Sequence, residues 1–493
     1  MKKKKSIYLL AKPRFELLDG LRGIASIIVI IYHLLEAYYL GSINQPLKHG
    51  YMAVDFFFVL SGFVISYSYD DRWNKMTLKD FFIRRLIRLH PMVILSTFFG
   101  SLLFYFQSSE TFFLIEKTSL LNLILVMFWC FTIIPLPTSF DIRGWYETNP
   151  LNSPIWTLQW EYIGNIIYAL IIRRLNDLLL EILIFFSSIL IILVTFNIDL
   201  FNIYNDRAEN LKYTILGGWC LSKGHIQIGF TRLLYSLCIG MFISRKKLLI
   251  KLKYGFYFCF FFLIILLIMP WVGTEKILWT NGIYESIVLL ILFPLIVSIA
   301  AGSDINKNSF LFKINKFLGD ISYPLYMVHY PLVYSQNSWV TNNKNNNISI
   351  EIHFFVSFSI FIMAIFIAYS SLKLFDEPVR EWLRKKLFKI EIKDYSNLKN
   401  EENEGDQTSS QVPPKEPKTI QKTNNPINED MFQKIKDKLE EDYSLSNSGW
   451  SDDDLMKKIL DNLDDELKEK IGKDDDEVIV RIGELIGEEL LGM

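Results

Sequence analysis

Asp19-Gly20-Leu21-Arg22-Gly23-Ile24-Ala25-Ser26-Ile27-Ile28-Val29-Ile30-Ile31-Tyr32-His33 opens the first long apolar run of the chain. It places a guanidinium at the start of a segment long enough to enter a membrane and an imidazole well inside it. A helix separates Arg22 from His33 by about 16 Å at about 1.5 Å per residue, roughly half of a hydrocarbon core of about 30 Å. With Arg22 at one face, His33 lies near the midplane or just beyond it. Titratable groups at that depth are costly and by default mark a working site. The competing reading is a snorkelling arginine and a histidine that only bonds a neighbouring helix.

The run is the first of many. The chain has 493 residues, 51% of them hydrophobic, and apolar stretches recur from Ile24 to Leu374. This predicts an all-α, polytopic membrane protein, not a soluble globule. Ten spans are expected, at 18–40, 52–67, 91–107, 154–172, 178–196, 225–243, 254–272, 282–301, 321–338 and 353–375. The apolar stretch 119–134 would flip the parity of everything after it if it crossed. With the N-terminus inside and ten spans, the inner segments hold about 27 Lys/Arg and the outer ones about 8, the bias that the positive-inside rule requires. Residues 119–134 are therefore read as re-entrant or interfacial. The Trp- and Pro-bearing segment 135–153 reads as an ordered connection. Cys130, Cys220, Cys238 and Cys259 show neither metal spacing nor a disulfide framework. No metal site and no cleavable signal peptide are expected.

Beyond residue 390 the composition changes. Residues 391–493 hold 14 Lys/Arg and 28 Asp/Glu, while the whole chain is close to neutral. Residues 391–429, with Pro413, Pro414, Pro417 and Pro426, read as a polar linker. Leu455, Ile459, Leu463, Leu467 and Ile471 then recur every four residues behind Ser451, a helix-start pattern. Residues 430–493 are expected to form a small acidic helical module on the cytoplasmic side, suited to a protein partner. Residues 1–390 form the membrane domain. No nucleic-acid partner is expected.

Depth follows from topology. His33 and Glu36 share a helix face, Asp55 begins the second span, and Glu161 sits well inside the fourth. All lie in the outer half. Carboxylates around an imidazole orient it and keep it basic. Glu36 itself reads as solvent-exposed. At the inner end, Arg85 and Arg88 are i,i+3 neighbours that point together with Arg22, a pattern suited to phosphate. Plain anchoring to anionic lipid is the alternative.

These residues also carry a likeness. Arg22 and His33 in their context, Val54-Asp55-Phe56-Phe57-Phe58-Val59-Leu60-Ser61-Gly62-Phe63, Arg85 and Arg88 with Pro91, Trp156-Thr157-Leu158-Gln159-Trp160-Glu161, Ser322-Tyr323-Pro324-Leu325-Tyr326-Met327-Val328-His329 and Glu377-Pro378 follow one another in order. Together they resemble the acyltransferase-3 family of integral membrane acyltransferases, over about residues 14–385. Thr157 stands where that family has serine. The resemblance implies transfer of an acyl group, commonly acetyl, from cytoplasmic acyl-CoA to a hydroxyl of a cell-surface or lipid-linked saccharide. It implies the bacterial inner membrane, both termini cytoplasmic, and no permanently bound cofactor, acetyl-CoA being a co-substrate. His33 would be catalytic, supported by Glu161 or Asp55. Arg22, Arg85 and Arg88 would bind the donor, and Ser61, Tyr323, Tyr326 and His329 would line a channel. General-base catalysis and an acyl-histidine intermediate both fit. No Gly-Asp-Ser hydrolase motif accompanies the membrane part. The alternative function is a transporter or exporter that uses a His/carboxylate relay.

Overall fold

The computed structural model describes residues 12–39, 45–200, 203, 207, 211–273, 277–303, 305, 309–388 and 433–437. Met1–Gln411 and Val412–Met493 form two units, and every helix described below belongs to the first. The expected linker 391–429 and acidic module 430–493 lie outside the described residues, apart from a helical turn at 433–437.

Among the described residues the fold is helical, and its one extended pairing is an isolated antiparallel bridge between Glu147 and Cys220. The helices are α1 (Glu16–Glu36), α2 (Ala53–Tyr69), α3 (Leu78–Leu103), α4 (Leu120–Phe131), α5 (Ile155–Leu170), α6 (Asp177–Thr195), α7 (Lys223–Arg245), α8 (Gly255–Ile268), α9 (Trp279–Ile287), α10 (Phe293–Gly302), α11 (Phe310–Asn342), α12 (Ile350–Ser371) and α13 (Glu377–Phe388). A π-helical turn, Val288–Leu292, joins α9 to α10, and another, Leu372–Asp376, joins α12 to α13.

Each of the ten segments read as spans carries a helix. Seven stretches among the described residues are long and apolar enough to cross a membrane. The chain is thus a helical membrane protein. α4 has 12 residues, about 18 Å at 1.5 Å per residue, short of a full crossing.

Two boundaries differ from the sequence reading. α3 begins at Leu78 and not near Pro91, because Thr77 and Asp80 close a capping box: Thr77 Oγ1 accepts from the Asp80 N–H at 3.1 Å and Asp80 Oδ2 accepts from the Thr77 N–H at 3.0 Å. Arg84, Arg85 and Arg88 therefore ride on the spanning helix itself. α11 begins at Phe310, capped by Ser309 at 3.1 Å from the Phe312 N–H. It keeps Pro324 and Pro331 in its interior. A proline frees the carbonyl four residues before it, and Asn152 Nδ2 takes up the Met327 carbonyl freed by Pro331 at 2.7 Å.

α1 lies along α11 and α2 along α7. Small residues permit both seams. A Cβ at Gly23 would stand 2.5 Å from the Leu318 carbonyl oxygen, and one at Gly62 would stand 2.1 Å from the Leu237 oxygen. Larger residues would push α1 away from α11, and these two helices carry most of the site.

Candidate active site

A cavity of about 1220 Å³ opens at the end of the bundle where α1 finishes. Its walls come from α1 (Val29, Tyr32, His33, Glu36), the turn before α2 (Tyr51), α2 (Val54), the segment before α5 (Trp145, Tyr146, Glu147), α5 (Trp156), α7 (Arg232) and α11 (Tyr326, Tyr330, Asn337). Aromatic rings and a few polar groups dominate this lining, as suits a cavity for a small or polyhydroxylated ligand.

His33 stands on this wall. Its Nδ1 is 2.6 Å from Glu36 Oε2, and both side chains are about one-fifth exposed. A carboxylate on Nδ1 makes that nitrogen the donor, so Nε2 is the basic nitrogen. Nε2 has no protein partner among the described residues. The ring stacks on His329 at 5.6 Å and meets Tyr330 edge-on at 4.8 Å. His329 is fully buried, donates from Nδ1 to the Leu325 carbonyl at 3.2 Å, and has an unpartnered Nε2.

At the other end of α1 the guanidinium groups gather. Arg22 donates through Nε to Ser322 Oγ at 2.8 Å and through Nη2 to the Gly319 carbonyl at 3.1 Å, and it pairs with Asp19 at 3.0 Å. Arg85 Nη2 meets Glu161 Oε1 at 2.5 Å, and Ser61 Oγ donates to the same oxygen at 3.2 Å. Arg380 Nη1 meets Asp376 Oδ2 at 2.7 Å. Asp376 closes the second π-helical turn, is fully buried, and leaves Oδ1 unpartnered. Arg88 feels the charges of Arg22, Arg85, Arg380 and Asp19. Three of these four arginines hold a carboxylate. Arg88 has no hydrogen bond or ion pair among the described residues, and its side chain is accessible. The cluster keeps one positive charge without an ion pair among the described residues, a suitable seat for a phosphate.

Between the two ends α2, α5 and α11 meet at Tyr326. The Tyr326 hydroxyl is 3.0 Å from Thr157 Oγ1, and its ring meets Phe57 edge-on at 5.6 Å. Glu161, Ser61 and Tyr323 lie one turn from Thr157, Phe57 and Tyr326 respectively, on the arginine side. Tyr323 donates to the Leu89 carbonyl at 2.5 Å.

The carboxylates are distributed differently from the sequence expectation. Asp55 and Glu161 were expected to support His33. Asp55 is instead fully buried, with both oxygens on Arg232, at 2.9 Å from Nε and 2.7 Å from Nη2. Glu161 is held by Arg85. Glu36, read as exposed, is the carboxylate on the imidazole. Glu161 thus lies with the arginine cluster and not at the depth of His33, and the rotation of α2 turns Asp55 toward α7. Arg22, Arg85 and Arg88 come together, joined by Arg380, which the sequence reading counted only among the basic residues of the inner segments. Arg232 was also missed. A lone arginine within the apolar stretch 225–243 was itself the available signal.

A further polar cluster stands on the cavity wall before α5. Tyr334 donates to Glu147 Oε2 at 2.5 Å. Arg143 lies 3.6 Å over the Tyr334 ring and donates to the Pro150 carbonyl at 2.8 Å and to Gln107 at 2.9 Å. Burial pushes the Glu147 carboxyl up to about 7 and holds the Arg143 guanidinium below its usual value.

The chain is a helical membrane bundle with an imidazole–carboxylate pair facing a cavity at one end of α1 and an arginine cluster at the other. A family model described as an acyltransferase domain, that of the acyltransferase-3 family, matches residues 15–371. The chain belongs to this family. A Staphylococcus aureus (strain COL) protein that carries a provisional O-acetyltransferase name is 47% identical over 81 residues, 16% of this chain and 12% of that protein. The peptidoglycan O-acetyltransferase OatA of Listeria monocytogenes is 43% identical over 79 residues, 15% of this chain and 11% of that protein. Protein 2 in the picA locus of Rhizobium radiobacter is 35% identical over 85 residues, 17% of this chain and 42% of that protein. The chain thus spans less than half the length of each of these relatives. No solved structure matches it.

Proposed function

We propose that the chain is an O-acyltransferase that carries an acyl group, in the first place acetyl, from acyl-CoA in the cytoplasm to a hydroxyl of a saccharide at the outer face of the bacterial inner membrane. On this reading ten segments span, and both termini are cytoplasmic. Acyl-CoA is a co-substrate and no cofactor stays bound. The acidic tail stands ready for a cytoplasmic protein partner.

The observation that carries this reading is His33, with Glu36 on Nδ1, facing the cavity about 16 Å along one helix from Arg22. The phosphates of CoA seat on Arg22, Arg85, Arg88 and Arg380, and its long arm reaches past Ser61, Tyr323 and Tyr326 toward His33. The acceptor enters the cavity among its tyrosines and tryptophans. His33 Nε2 takes the proton of the acceptor hydroxyl as the oxygen bonds to the acyl carbon. The C–S bond breaks, and the departing thiolate of CoA takes that proton from the imidazolium, which Glu36 stabilises. Asp55 with Arg232 holds α2 against α7. Glu161 aims Arg85, and His329 packs the imidazole from behind.

Reconstituted protein given radiolabelled acetyl-CoA and membranes containing their own saccharides should transfer base-labile label to the saccharide. His33→Ala should abolish transfer while still inserting. Retained transfer in that variant removes His33 from the mechanism. Label trapped on the imidazole of the wild type would instead assign a histidine-bound intermediate.

A further inference from the structure

Glu147 is a buried carboxyl for which the transfer step above has no use. It sits in the segment between α4 and α5, is 5% exposed, and borders the same cavity as His33. Its backbone is clamped from both sides. Glu147 pairs antiparallel with Cys220, and the Thr148 N–H donates to the Trp219 carbonyl at 3.0 Å. Just before it, Asp141 accepts from the N–H groups of Arg143, Gly144 and Tyr146 at 2.9, 2.9 and 3.0 Å. That turn holds Tyr146 at φ +55°, a left-handed conformation that costs a non-glycine residue about 1 kcal/mol or more. The loop thus accepts strain to fix the residue that follows.

Its surroundings do not neutralise it. The neighbouring cation, Arg143, is committed to the Tyr334 ring, Pro150 and Gln107, and its Nη1 is unpartnered. No cation forms an ion pair with Glu147 among the described residues. The groups acting on Glu147 are Tyr334 from α11, Arg143, Asp141 and Ser153 from its own segment, and it acts in turn on Tyr330 and Cys220. Tyr334 meets Tyr330 edge-on at 4.6 Å, and Tyr330 meets His33 edge-on at 4.8 Å. Glu147 and His33 thus face one cavity from either side of Tyr330. A buried carboxyl without an ion pair among the described residues is costly for the fold alone, and such groups concentrate at working sites.

We propose that Glu147 is an acceptor-binding residue, whose ionised carboxylate takes a hydrogen bond from a hydroxyl of a polyhydroxylated acceptor next to the hydroxyl that His33 deprotonates. This rests on the reading of the cavity as the acceptor site. The proton state of the carboxyl then governs binding. Below about pH 7 it is increasingly protonated and accepts less well, so transfer at limiting acceptor falls as pH drops through that region. Tyr334 favours the ionised form, so its loss moves the midpoint upward.

Membrane vesicles from cells that make this protein, carrying their own saccharides, test this. They are given radiolabelled acetyl-CoA, and base-labile label in the saccharide fraction is followed from about pH 5.5 to about pH 8.5. Wild type should rise several-fold to a plateau with a midpoint near neutrality. Glu147→Gln should be about tenfold slower at the plateau pH and should lose the part of that rise that Glu147 contributes, keeping only the part set by His33 as general base. Glu147→Asp should recover a sigmoidal curve. Tyr334→Phe should shift the midpoint to higher pH, and it keeps the proposal exposed if Glu147→Gln fails to fold. A Glu147→Gln profile that follows wild type, or an unmoved midpoint in Tyr334→Phe, overturns the role of Glu147. Absence of any wild-type label overturns instead the acyltransferase reading on which that role rests.

Discussion

Glu36 Oε2 stands 2.6 Å from His33 Nδ1, one helical turn further along α1. The pair is internal to a single helix, so no interhelical packing has to be right for it to form. It fixes the tautomer that leaves Nε2 basic. Glu36→Gln keeps an oxygen for Nδ1 but removes the charge that stabilises the imidazolium. Its turnover should fall about a hundredfold, within the range that acid–base support supplies, with the KM for acyl-CoA unchanged. Steady-state kinetics in proteoliposomes checks this. Wild-type turnover would show that the carboxylate is incidental.

Among the described residues Arg88 is the arginine of its cluster without an ion-paired carboxylate, so a bound phosphate adds an ion pair there without breaking one. Arg88→Ala should raise the KM for acyl-CoA about tenfold or more, about 1.4 kcal/mol or above, with a smaller effect on turnover. Arg88→Lys should recover part of the loss as a point charge without the guanidinium fork. Added salt should raise the KM of wild type more than that of Arg88→Ala. Equal KM values in the three proteins would place the donor elsewhere.

What the sequence made legible follows helical periodicity. Arg22 and His33, three turns apart, and Arg85 and Arg88, one turn apart, were readable because spacing along a helix translates directly into distance. Contacts between helices were not legible. Arg85 and Glu161 are 76 positions apart, and Asp55 and Arg232 are 177 apart. Hydropathy gives the depth of a side chain only coarsely and does not give the azimuth of its helix. For that reason Asp55 and Glu161 were grouped with His33, whereas each closes on an arginine. Arg380 escaped for a related reason: the π-helical turn Leu372–Asp376 sets its direction relative to α12, and a one-residue expansion of that kind leaves no mark on the pattern.

Asp55 and Arg232 make a bidentate pair with both partners buried. Removing one partner strands a charge at a cost of about 3–5 kcal/mol. Asp55→Ala should therefore lower thermal stability in detergent severely. The double variant Asp55→Ala with Arg232→Met should regain much of it, because no charge is left buried alone. Transfer activity in the double variant separates the two roles, since a supporting pair permits substantial activity once the fold is restored. A stable double variant that is as inactive as His33→Ala would return Asp55 to the chemistry.

Tyr326 stands between the cavity and the arginine cluster, with its ring on Phe57 and its hydroxyl on Thr157. Tyr326→Phe removes the hydrogen bond and keeps the ring, so acyl-chain preference should stay near that of wild type. Tyr326→Ala removes the ring and should let longer acyl groups pass, so that butyryl-CoA gains relative to acetyl-CoA. Competition between the two donors, read by mass spectrometry of the product, checks this. Chain-length profiles that coincide in all three proteins would show that the acyl group does not pass this point.

Glu147 also gives the fold a pH dependence of definite sign. Its carboxyl is raised from an ordinary 4.5 to about 7 by burial. Between those values the folded chain holds a proton that the unfolded chain has released. The unfolded state binds fewer protons there, so stability falls as pH rises through this window and levels off above it. A shift of that size corresponds to about 3 kcal/mol. Thermal unfolding in detergent should therefore show wild type losing stability between about pH 5 and about pH 8. Glu147→Gln carries no titrating group at this position, so its loss should be smaller by about that amount. Parallel curves for the two proteins would mean that the carboxyl is already ionised at low pH, with a partner strong enough to hold its charge.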